Sequence, residues 1–527
     1  MRYRRSTVWI KVLLPALALG LLAPGTGSAR HRAGKDAGAP GQPNIIMILA
    51  DDLDVNLLSL DYMPNLQVFL AGKGLTFTNY FVPISLCCPS RTTILTGMYP
   101  HNHGVFTNTY PEGGFRRFQE LNLDRATIGT ALQKAGYRTS LMGKYINDYP
   151  RGSEKTYVPP GWSEWNVPAD NDAYAEFNYT LNENGTLVFH GTAEEDYLTD
   201  VLSGKAKDFI QRMAGGQQPF FLYLATYAPH RPATPAPRHE NLFPDLIAPR
   251  APNFNEADVS AKPKDLQFDP LTQEGIDFID YLYPKRIRSL QAVDELVLNI
   301  IRTLRRTGQI NNTYVVFTSD NGFHMGQHRF LAGKYTAYEE DIHVPLIVRG
   351  PGVPPGATID ALSSSVDLAP TFAELAGTKL RFAHDGRSLV PLLSGTEPPG
   401  WRQAVLIEQR PFSDLGKAYQ QKPKLNLELK TPPARMGAAG LQEPPDPFDS
   451  QIWPPIPYVG LRTHRWKYVE YANGEREMYN LSIDPYELVN RSSFARHSLI
   501  NQLSGVLHQL QYCHGDACTS AEATPLP

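Results

Sequence analysis

The 527-residue sequence predicts an α/β fold, in which a parallel sheet covered by helices is followed by a smaller domain of antiparallel strands. Four continuous apolar runs separated by helical patterns favour the parallel sheet, because strands buried on both faces lack polar alternation. Near the C-terminus the pattern changes to alternating strands with an Asn-Gly turn signal. We therefore place a large domain at 44–400 and a smaller α+β domain at 401–527.

Each apolar run in the large domain is followed by polar residues. The runs are 44–49, 138–142, 220–225 and 314–317. The residues that follow them are Asp51-Asp52, Lys144, His230 and Asp320-Asn321. The carboxyl ends of parallel strands meet at one edge of a sheet, where ligands bind. We therefore expect these polar side chains to form one site.

Helical patterns lie between these strands, at 128–135, 197–213 and 287–307. Gly136, directly after the first of them, is a typical helix stop. Such alternation of strands and helices is typical of a layered α/β domain.

The smaller domain has a different texture. Strands are predicted at 404–408, 458–462 and 466–471, and a closing amphipathic helix at 498–512. Asn473-Gly474 marks a hairpin turn after the third strand. The segment 410–457 contains ten of the 45 prolines, which indicates a long loop instead of a core element.

The N-terminus predicts export. Residues 1–29 combine basic residues, a short apolar run and an Ala-x-Ala-like site, as in a secretory signal peptide. The apolar run is too short to be a stable membrane anchor. Residues 30–43 are rich in Gly, Pro and Ala and indicate a flexible linker. We expect a secreted protein, and in that compartment Cys513 and Cys518, five positions apart, can form a disulfide that fixes the tail.

The overall charge excludes some partners. With 50 Lys and Arg against 53 Asp and Glu, the net charge is -3, so there is no global positive field to hold nucleic acid. Any anionic ligand must be bound by a local cluster of cations.

The densest motif is Cys87-Cys88-Pro89-Ser90-Arg91, which continues to Leu95-Thr96-Gly97. Pro89 is typical of a first helical turn and Gly97 of a helix end, so Cys87 lies at the start of a short helix. A helix start with a nearby Arg favours negative charge beside Cys87. Composition alone would favour a buried packing role for a vicinal Cys pair, but the converging strand ends favour a functional one.

This motif resembles the signature of the type I, formylglycine-dependent sulfatases. The resemblance extends over nearly the whole mature chain. It includes Ala50-Asp51-Asp52, Gly143-Lys144-Tyr145, Ala228-Pro229-His230, Ser319-Asp320-Asn321-Gly322, Gly333-Lys334 and Asp484-Pro485-Tyr486-Glu487. It implies an alkaline-phosphatase-like fold with a mixed, mostly parallel sheet, and oxidation of Cys87 to Cα-formylglycine by a separate formylglycine-generating enzyme.

The resemblance also implies a metal site. Asp51, Asp52, Asp320 and Asn321, together with the formylglycine oxygen at Cys87, would bind one Ca²⁺. This set is chemically sound, because converging carboxylates repel unless a cation is present and an all-oxygen set suits a hard ion.

The implied reaction is sulfate ester hydrolysis. A hydroxyl of the hydrated formylglycine attacks sulfur with Asp320 as base, and the second hydroxyl then expels sulfate. Arg91, Lys144, His230 and Lys334 would neutralise the sulfate and the charge that develops in the transition state. Either His230 or Lys334 would protonate the leaving oxygen.

One position departs from the family pattern. Many arylsulfatases carry a His two residues after the Lys of the Gly-Lys motif, proposed to act in the second step, and this position is Ile146 here. His103 or a water molecule are the alternatives for that step.

Additional motifs are similar to those of N-acetylglucosamine-6-sulfatases and extracellular heparan sulfate sulfatases. They are Tyr99-Pro100-His101-Asn102-His103-Gly104, Lys144-Tyr145-Ile146-Asn147 and Asn253-Phe254-Asn255. This likeness implies a sulfated carbohydrate substrate carrying a 6-O-sulfate on N-acetylglucosamine or glucosamine, with His103 near the sugar.

Two groups of alternatives stay open. One is a different esterase activity, either a broad arylsulfatase or a formylglycine-dependent phosphodiesterase or phosphonate hydrolase, because phosphoryl and sulfuryl groups need similar cations. The other is an inactive, exported sulfated-glycan-binding protein in which Cys87 stays unmodified.

Overall fold

A ten-stranded sheet is the centre of the computed structural model, which describes residues 42–170, 172–216, 218–410 and 456–527. The predicted signal peptide 1–29, and all but the edges of the linker 30–43 and the Pro-rich loop 410–457, lie outside the described residues. The described residues belong to one unit, Gln42–Pro527, and the domain boundary at 400 stays a prediction.

The strands are short and their bounds follow in chain order. They are β1 Asn44–Ala50, β2 Leu75–Phe77, β3 Tyr80–Phe81, β4 Arg138–Gly143, β5 Glu164–Pro168, β6 Tyr179–Glu183, β7 Thr186–His190, β8 Phe220–Ala225, β9 Thr313–Ser319, β10 His324–Met325, β11 Ala332–Gly333, β12 Leu346–Arg349, β13 Ala357–Ile359, β14 Ser363–Ser364, β15 Val405–Gln409, β16 Tyr458–Arg462, β17 Trp466–Tyr471 and β18 Arg476–Asn480.

The α-helices vary widely in length. They are α1 Pro64–Phe69, α2 Cys87–Thr96, α3 Pro100–His103, α4 Gly114–Glu120, α5 Ile128–Lys134, α6 Leu198–Ala214, α7 Gln273–Arg306, α8 Glu339–Ile342, α9 Leu368–Leu375, α10 His497–Leu510 and α11 Asp516–Glu522. No helix within the described ranges is both long and apolar enough to cross a membrane.

The large sheet is mixed and mostly parallel at its centre. Its strand order is β13-β2-β12-β9-β1-β8-β4-β5-β6-β7. Strand β1 pairs in parallel with both β8 and β9, and β4 pairs in parallel with β8 and β5. Strand β12 runs antiparallel to β9 and β2. The predicted mixed, mostly parallel sheet is thus confirmed.

The sheet is covered on both faces, as continuous apolar strands require. In β1, Ile45 and Met47 point into one hydrophobic cluster, and Ile46 and Ile48 point into the other. Helices α5 and α9 contribute to the first cluster, and α1, α6 and α7 contribute to the second. Successive side chains of a strand point to opposite faces of the sheet. Because both faces of this sheet are covered, the residues on each face of the strand must be apolar.

Helix α7 begins earlier than predicted. The sequence pattern indicated 287–307, whereas the helix begins at Gln273 and contains Pro284. Thr272 caps it by accepting a hydrogen bond from the Gly275 amide. Proline removes only one helical donor, and burial of Pro284 and its neighbours outweighs that loss.

The C-terminal strands form a separate four-stranded antiparallel sheet in the order β15-β16-β17-β18. One face, including Leu406 and Tyr468, packs on helix α10, whereas Ile407 and Val469 on the other face join the core of the large domain. The predicted smaller antiparallel sheet is confirmed. Beyond α10, a disulfide joins Cys513 to Cys518.

Candidate active site

Four strand ends bring the predicted polar residues together. Strands β1 and β9 end in register, with Ala50 opposite Ser319, and are followed directly by Asp51 and Asp320. Strands β4 and β8 end in register as well, with Gly143 opposite Ala225. Lys144 follows the first of these strands, and the loop after the second carries His230.

Gly143 is needed for this arrangement. Its φ is +91°, and a Cβ at this position would lie 1.8 Å from the Ala225 carbonyl oxygen. A side chain would therefore separate β4 from β8. The backbone amide of Lys144 instead donates to that carbonyl at 2.9 Å, which holds the lysine at the site.

Helix α2 positions Cys87. Leu86 is extended, the helix begins at Cys87, and Gly97 ends it with a φ of +71°. The Cys87 Sγ lies 3.6 Å from Asp51 Oδ1, 3.9 Å from Asp52 Oδ1 and 2.7 Å from Lys334 Nζ. Burial raises the pKa of the Cys87 thiol to about 12.

Three carboxylates and one amide surround this cysteine. Asp51, Asp52, Asp320 and Asn321 are all at most 1% exposed. Asn321 Nδ2 donates to Asp52 Oδ1 at 2.7 Å, whereas Asn321 Oδ1 is buried without a hydrogen-bond partner among the described residues. Asp52 has a φ of +65°, an unfavourable conformation that persists at functional sites. An orphan amide oxygen among carboxylates fits a hard cation such as Ca²⁺.

Cations balance the carboxylates. Arg91 Nε donates to Asp320 Oδ2 at 2.7 Å, and its Nη1 donates to the Lys144 carbonyl at 2.8 Å. The Lys144 ammonium pairs with Asp51, and the Lys334 ammonium pairs with Asp52.

These ion pairs keep both lysines charged. Burial alone would lower their pKa values, but Asp51 holds the pKa of Lys144, and Asp52 that of Lys334, well above the usual range. Burial opposes ionisation of Asp52 as well, yet Lys334 holds the pKa of that carboxyl below its usual value. The site is therefore a network of buried, charged side chains.

His230 lies at the opening of this network. Its Nδ1 lies 2.6 Å from the Arg231 carbonyl, so Nδ1 carries the proton and donates it there. Its Nε2 is left as an acceptor, 3.6 Å from Asp52 Oδ2. Burial lowers the pKa of His230 to about 3, and its side chain is 24% exposed. A neutral imidazole therefore faces the site.

His103, which was predicted to lie near the sugar, is a buried residue. The sequence placed it near the substrate, but it is 2% exposed. Its Nε2 lies 3.2 Å from Thr93 Oγ1, and its Nδ1 accepts from the Val105 amide at 3.1 Å. Both ring nitrogens are engaged in these contacts, which support the turn after α3, and a role of His103 near the sugar or in the second step stays a prediction. Ile146 is buried in the core and supplies no polar group.

Some residues at the site were not predicted. Lys144 Nζ lies 5.0 Å from the Tyr174 ring centroid and 5.9 Å from that of Tyr227. A small cavity beside them is also lined by Asn147 and Asp148. Aromatic residues in loops carry no sequence signal that separates a binding wall from a core contact.

Arg286 is another residue without a sequence prediction. It is 1% exposed, donates to the Pro229 carbonyl at 3.1 Å, and also donates to the Asp52 carbonyl. It therefore fixes Asp52 to the loop that carries His230. The sequence signal that could have indicated Arg286 is its position as a cation on the apolar face of helix α7.

His324 was not predicted either. Its Nδ1 lies 2.9 Å from Asp341 Oδ1, and its backbone pairs with Gly333, the residue before Lys334. Because His324 lies on a two-residue strand, no periodicity marks it in the sequence.

The fold and the site define a class of enzyme: a layered α/β hydrolytic enzyme in which a buried carboxylate cluster could hold a metal ion and buried cations lie beside it. Comparison with known proteins gives the family. The sulfatase family matches residues 43–378, and the chain belongs to it as a sulfuric ester hydrolase.

Three relatives illustrate the similarity. The chain is 36% identical over 521 residues to Homo sapiens N-acetylglucosamine-6-sulfatase, covering 96% of this chain and 91% of the human protein. It is 38% identical over 405 residues to an extracellular sulfatase Sulf-1 homolog of Caenorhabditis elegans, covering 73% of this chain and 56% of that protein. A solved structure in complex with its substrate D-glucosamine-2-N,6-O-disulfate superposes with a TM-score of 0.68 at 24% identity, covering 89% of this chain and 97% of that one.

The shared fold confirms the alkaline-phosphatase-like architecture that the sequence motifs implied.

Proposed function

We propose that this sulfatase hydrolyses the 6-O-sulfate ester of N-acetylglucosamine or glucosamine units in a sulfated carbohydrate. The observation that carries the proposal is the arrangement of Asn321 Oδ1, three aspartates and two lysines around Cys87. The similarity to human N-acetylglucosamine-6-sulfatase over nearly the whole chain supports the choice of substrate.

The proposed cofactors are Ca²⁺ and a formylglycine formed from Cys87 by a formylglycine-generating enzyme. Asp51, Asp52, Asp320 and Asn321 would hold the ion. When present, the two groups supply Lewis acidity and a hydroxyl nucleophile.

The cations of the site would bind the sulfate group. Arg91 Nη2 is buried, 3.8 Å from Asp51 Oδ2, and has no hydrogen-bond partner among the described residues. It is therefore available to donate to a sulfate oxygen. Lys144 and Lys334 stay charged and neutralise negative charge that develops in the transition state.

Proton transfer would use residues around Cys87. Asp320, which directly follows β9, would accept a proton from the nucleophile. Lys334 is charged and 2.7 Å from Cys87 Sγ, so it is positioned to donate a proton to the leaving oxygen. His230 is neutral with a free Nε2, which suits an acceptor more than a donor.

The sugar would lie beside Lys144. Tyr174 and Tyr227 provide flat apolar walls, and Asn147 provides an amide for hydroxyl groups. Asn147 Nδ2 already donates to the Tyr174 hydroxyl at 3.3 Å, which holds this wall in place.

Secretion is proposed from residues 1–29 together with the extracellular name of one relative. No stable membrane anchor and no nucleic-acid partner are expected.

Hydrolysis assays test the substrate directly. We expect the purified protein to release sulfate from N-acetylglucosamine 6-sulfate faster than from an aryl sulfate or a phosphonate monoester. Activity on the aryl sulfate alone would support a broad arylsulfatase and contradict the sugar proposal. A preference for the phosphonate ester would support the phosphonate hydrolase alternative.

A further inference from the structure

A second group of metal-binding side chains lies outside the active site. One ligand atom from each of His328, Glu340 and Glu487 lies within 4.8 Å of the other two, and all three residues are buried. Two ligands of one ion, each about 2.0–2.3 Å from it, are at most about 4.6 Å apart. Small side-chain movements therefore suffice to place one ion between these three residues.

The histidine is oriented as a metal ligand would be. His328 Nδ1 lies 2.6 Å from Glu256 Oε2, so Nδ1 donates to that carboxylate and Nε2 keeps its lone pair. A carboxylate behind a metal-bound histidine is the usual supporting arrangement, because it fixes the tautomer and the ring orientation. The ring also stacks on Tyr338 with centroids 4.0 Å apart, which prevents it from turning away.

Two buried residues at this group, Glu340 and Asn253, each carry an oxygen atom without a hydrogen-bond partner in the described part of the chain. Glu340 is 6% exposed, its Oε1 accepts from Asn253 Nδ2 at 2.8 Å, and its Oε2 has no hydrogen-bond partner in the described part of the chain. Asn253 is 1% exposed, and its Oδ1 also has no hydrogen-bond partner among the described residues. Asn253 Nδ2 lies 3.4 Å from His328 Nε2, so rotating the amide by half a turn places Oδ1 between His328 and Glu340.

The surrounding charges leave negative charge unbalanced. The buried carboxylates of this region include those of Glu256, Glu339, Glu340, Glu477 and Glu487. The buried cations beside them include Lys262, Arg462 and Lys467.

The cations pair with carboxylates other than Glu340, one of which is Glu487. Lys262 pairs with Glu256 at 3.3 Å, and Lys467 lies 2.9 Å from Glu339 and 2.7 Å from Glu487. No cation of the described residues pairs with Glu340. Buried carboxylates without a partner must either take up protons or bind a cation.

We propose that His328, Glu340, Glu487 and Asn253 form a second metal site, which binds one divalent transition metal ion of the Zn²⁺ type. One imidazole nitrogen with carboxylate and amide oxygens suits such an ion better than Ca²⁺, which takes oxygen ligands. Glu487 also accepts from the Glu339 amide at 2.9 Å, and a carboxylate has enough lone pairs for both partners.

The site would join distant segments behind the catalytic residues. Its ligands come from the loop before α7, the segment after β10, helix α8 and the segment after β18. The Gly322 and Phe323 amides donate to the Asp341 and Glu340 carbonyls at 2.9 and 2.8 Å, so α8 is bonded directly to the turn after Asn321. An ion at this site would stabilise that turn.

Equilibrium dialysis against Zn²⁺ tests the proposal. The full purified protein is stripped with a chelator, reloaded with Ca²⁺, and then dialysed against Zn²⁺, with metal content measured by elemental analysis. We expect one Zn²⁺ per chain in the wild type and a higher unfolding temperature when it is bound. Glu340→Gln should lose both effects, and Glu256→Gln should weaken zinc binding about 10- to 100-fold.

Two control variants separate this site from others. Asn321→Ala changes the active-site cluster and should still bind the Zn²⁺, whereas Glu477→Gln removes a buried charge that is not a ligand and should also retain it. No bound Zn²⁺ in the wild type, or unchanged zinc binding in Glu340→Gln, would overturn the proposal and assign a proton to Glu340. If Glu340→Gln fails to fold, unchanged zinc affinity in Glu256→Gln is the overturning result.

Discussion

Replacing Arg91 by Lys tests how the site binds sulfate. The substitution keeps a positive charge but removes the guanidinium fork. Arg91 donates to Asp320 at 2.7 Å and to the Lys144 carbonyl at 2.8 Å, and its Nη2 is free for the substrate. A lysine ammonium placed against Asp320 has no arm that reaches all three positions.

The size of the effect follows from the lost donors. A hydrogen bond to a charged group contributes about 1.5–3 kcal/mol, so losing the donor to sulfate should lower kcat/KM about 10- to 150-fold. Loss of the bond to the Lys144 carbonyl should lower the unfolding temperature as well. Steady-state hydrolysis of N-acetylglucosamine 6-sulfate and thermal unfolding measure the two effects.

Arg402 provides a matched control. It is also fully buried, and it donates to Asp367 at 2.6 and 2.7 Å and to Glu522 at 2.8 Å, outside the active site. Arg402→Lys should destabilise the fold at least as much as Arg91→Lys, with turnover per folded molecule retained. Wild-type kcat/KM in Arg91→Lys, or an equal loss of turnover in both variants, would refute the assigned role.

Three further changes have defined outcomes. The variant Asn321→Ala should require more Ca²⁺ for activity, because it removes the unpartnered amide oxygen Oδ1. Activity measured against Ca²⁺ concentration checks this. An unchanged Ca²⁺ requirement would contradict the assignment of Asn321 as a ligand. Replacing Cys513 and Cys518 by Ser should lower the free energy of unfolding by about 2 kcal/mol, because the disulfide closes a short loop. Turnover should be retained. Loss of turnover in the folded variant would contradict a purely structural role of the disulfide. Burial opposes protonation of His101, but its hydrogen bond to Glu408 raises the pKa of the imidazole above the ordinary histidine value. The His101–Glu408 ion pair therefore stabilises the fold fully below the ordinary histidine pKa. This stabilisation is lost as the pH rises through the raised pKa. Thermal unfolding of His101→Gln against pH should therefore converge with the wild type at high pH, and a constant difference would argue against the ion pair.

Much of the fold was predictable because its strands are buried on both faces. The predicted strands 220–225, 458–462 and 466–471 match β8, β16 and β17 to the residue. A continuous apolar run bounded by polar residues defines the ends of β8, whereas alternation and the Asn473-Gly474 turn signal define those of β16 and β17. The outer strands β6 and β7 were not predicted. Strand β7 is largely exposed, and its apolar run covers only the three residues Leu187-Val188-Phe189.

The site residues were predictable where they follow a strand directly. Asp51, Lys144 and Asp320 directly follow β1, β4 and β9, whose ends lie in neighbouring positions of the sheet. Their positions in the sequence therefore define their positions in the site. His103 shows the limit of this reasoning: its motif resembles a sugar-binding one, but burial and its contacts with Thr93 and Val105 depend on packing of α3. Sequence alone does not reveal which histidine faces inward.

The buried network at Glu340 shows a second limit. Its members lie far apart in the sequence, and even the hydrogen-bonded pair His328 and Glu256 is separated by 72 positions. Each residue alone is typical of a surface charge. Only the tertiary structure brings them together.

Mass spectrometry of the peptide that spans Cys87 tests the central claim most directly. The protein is produced in a host with a formylglycine-generating enzyme and is confirmed to hydrolyse a sulfate ester. We expect an aldehyde at position 87 in the active protein. An intact Cys87 thiol in protein that turns over the ester at full rate would contradict the proposed mechanism.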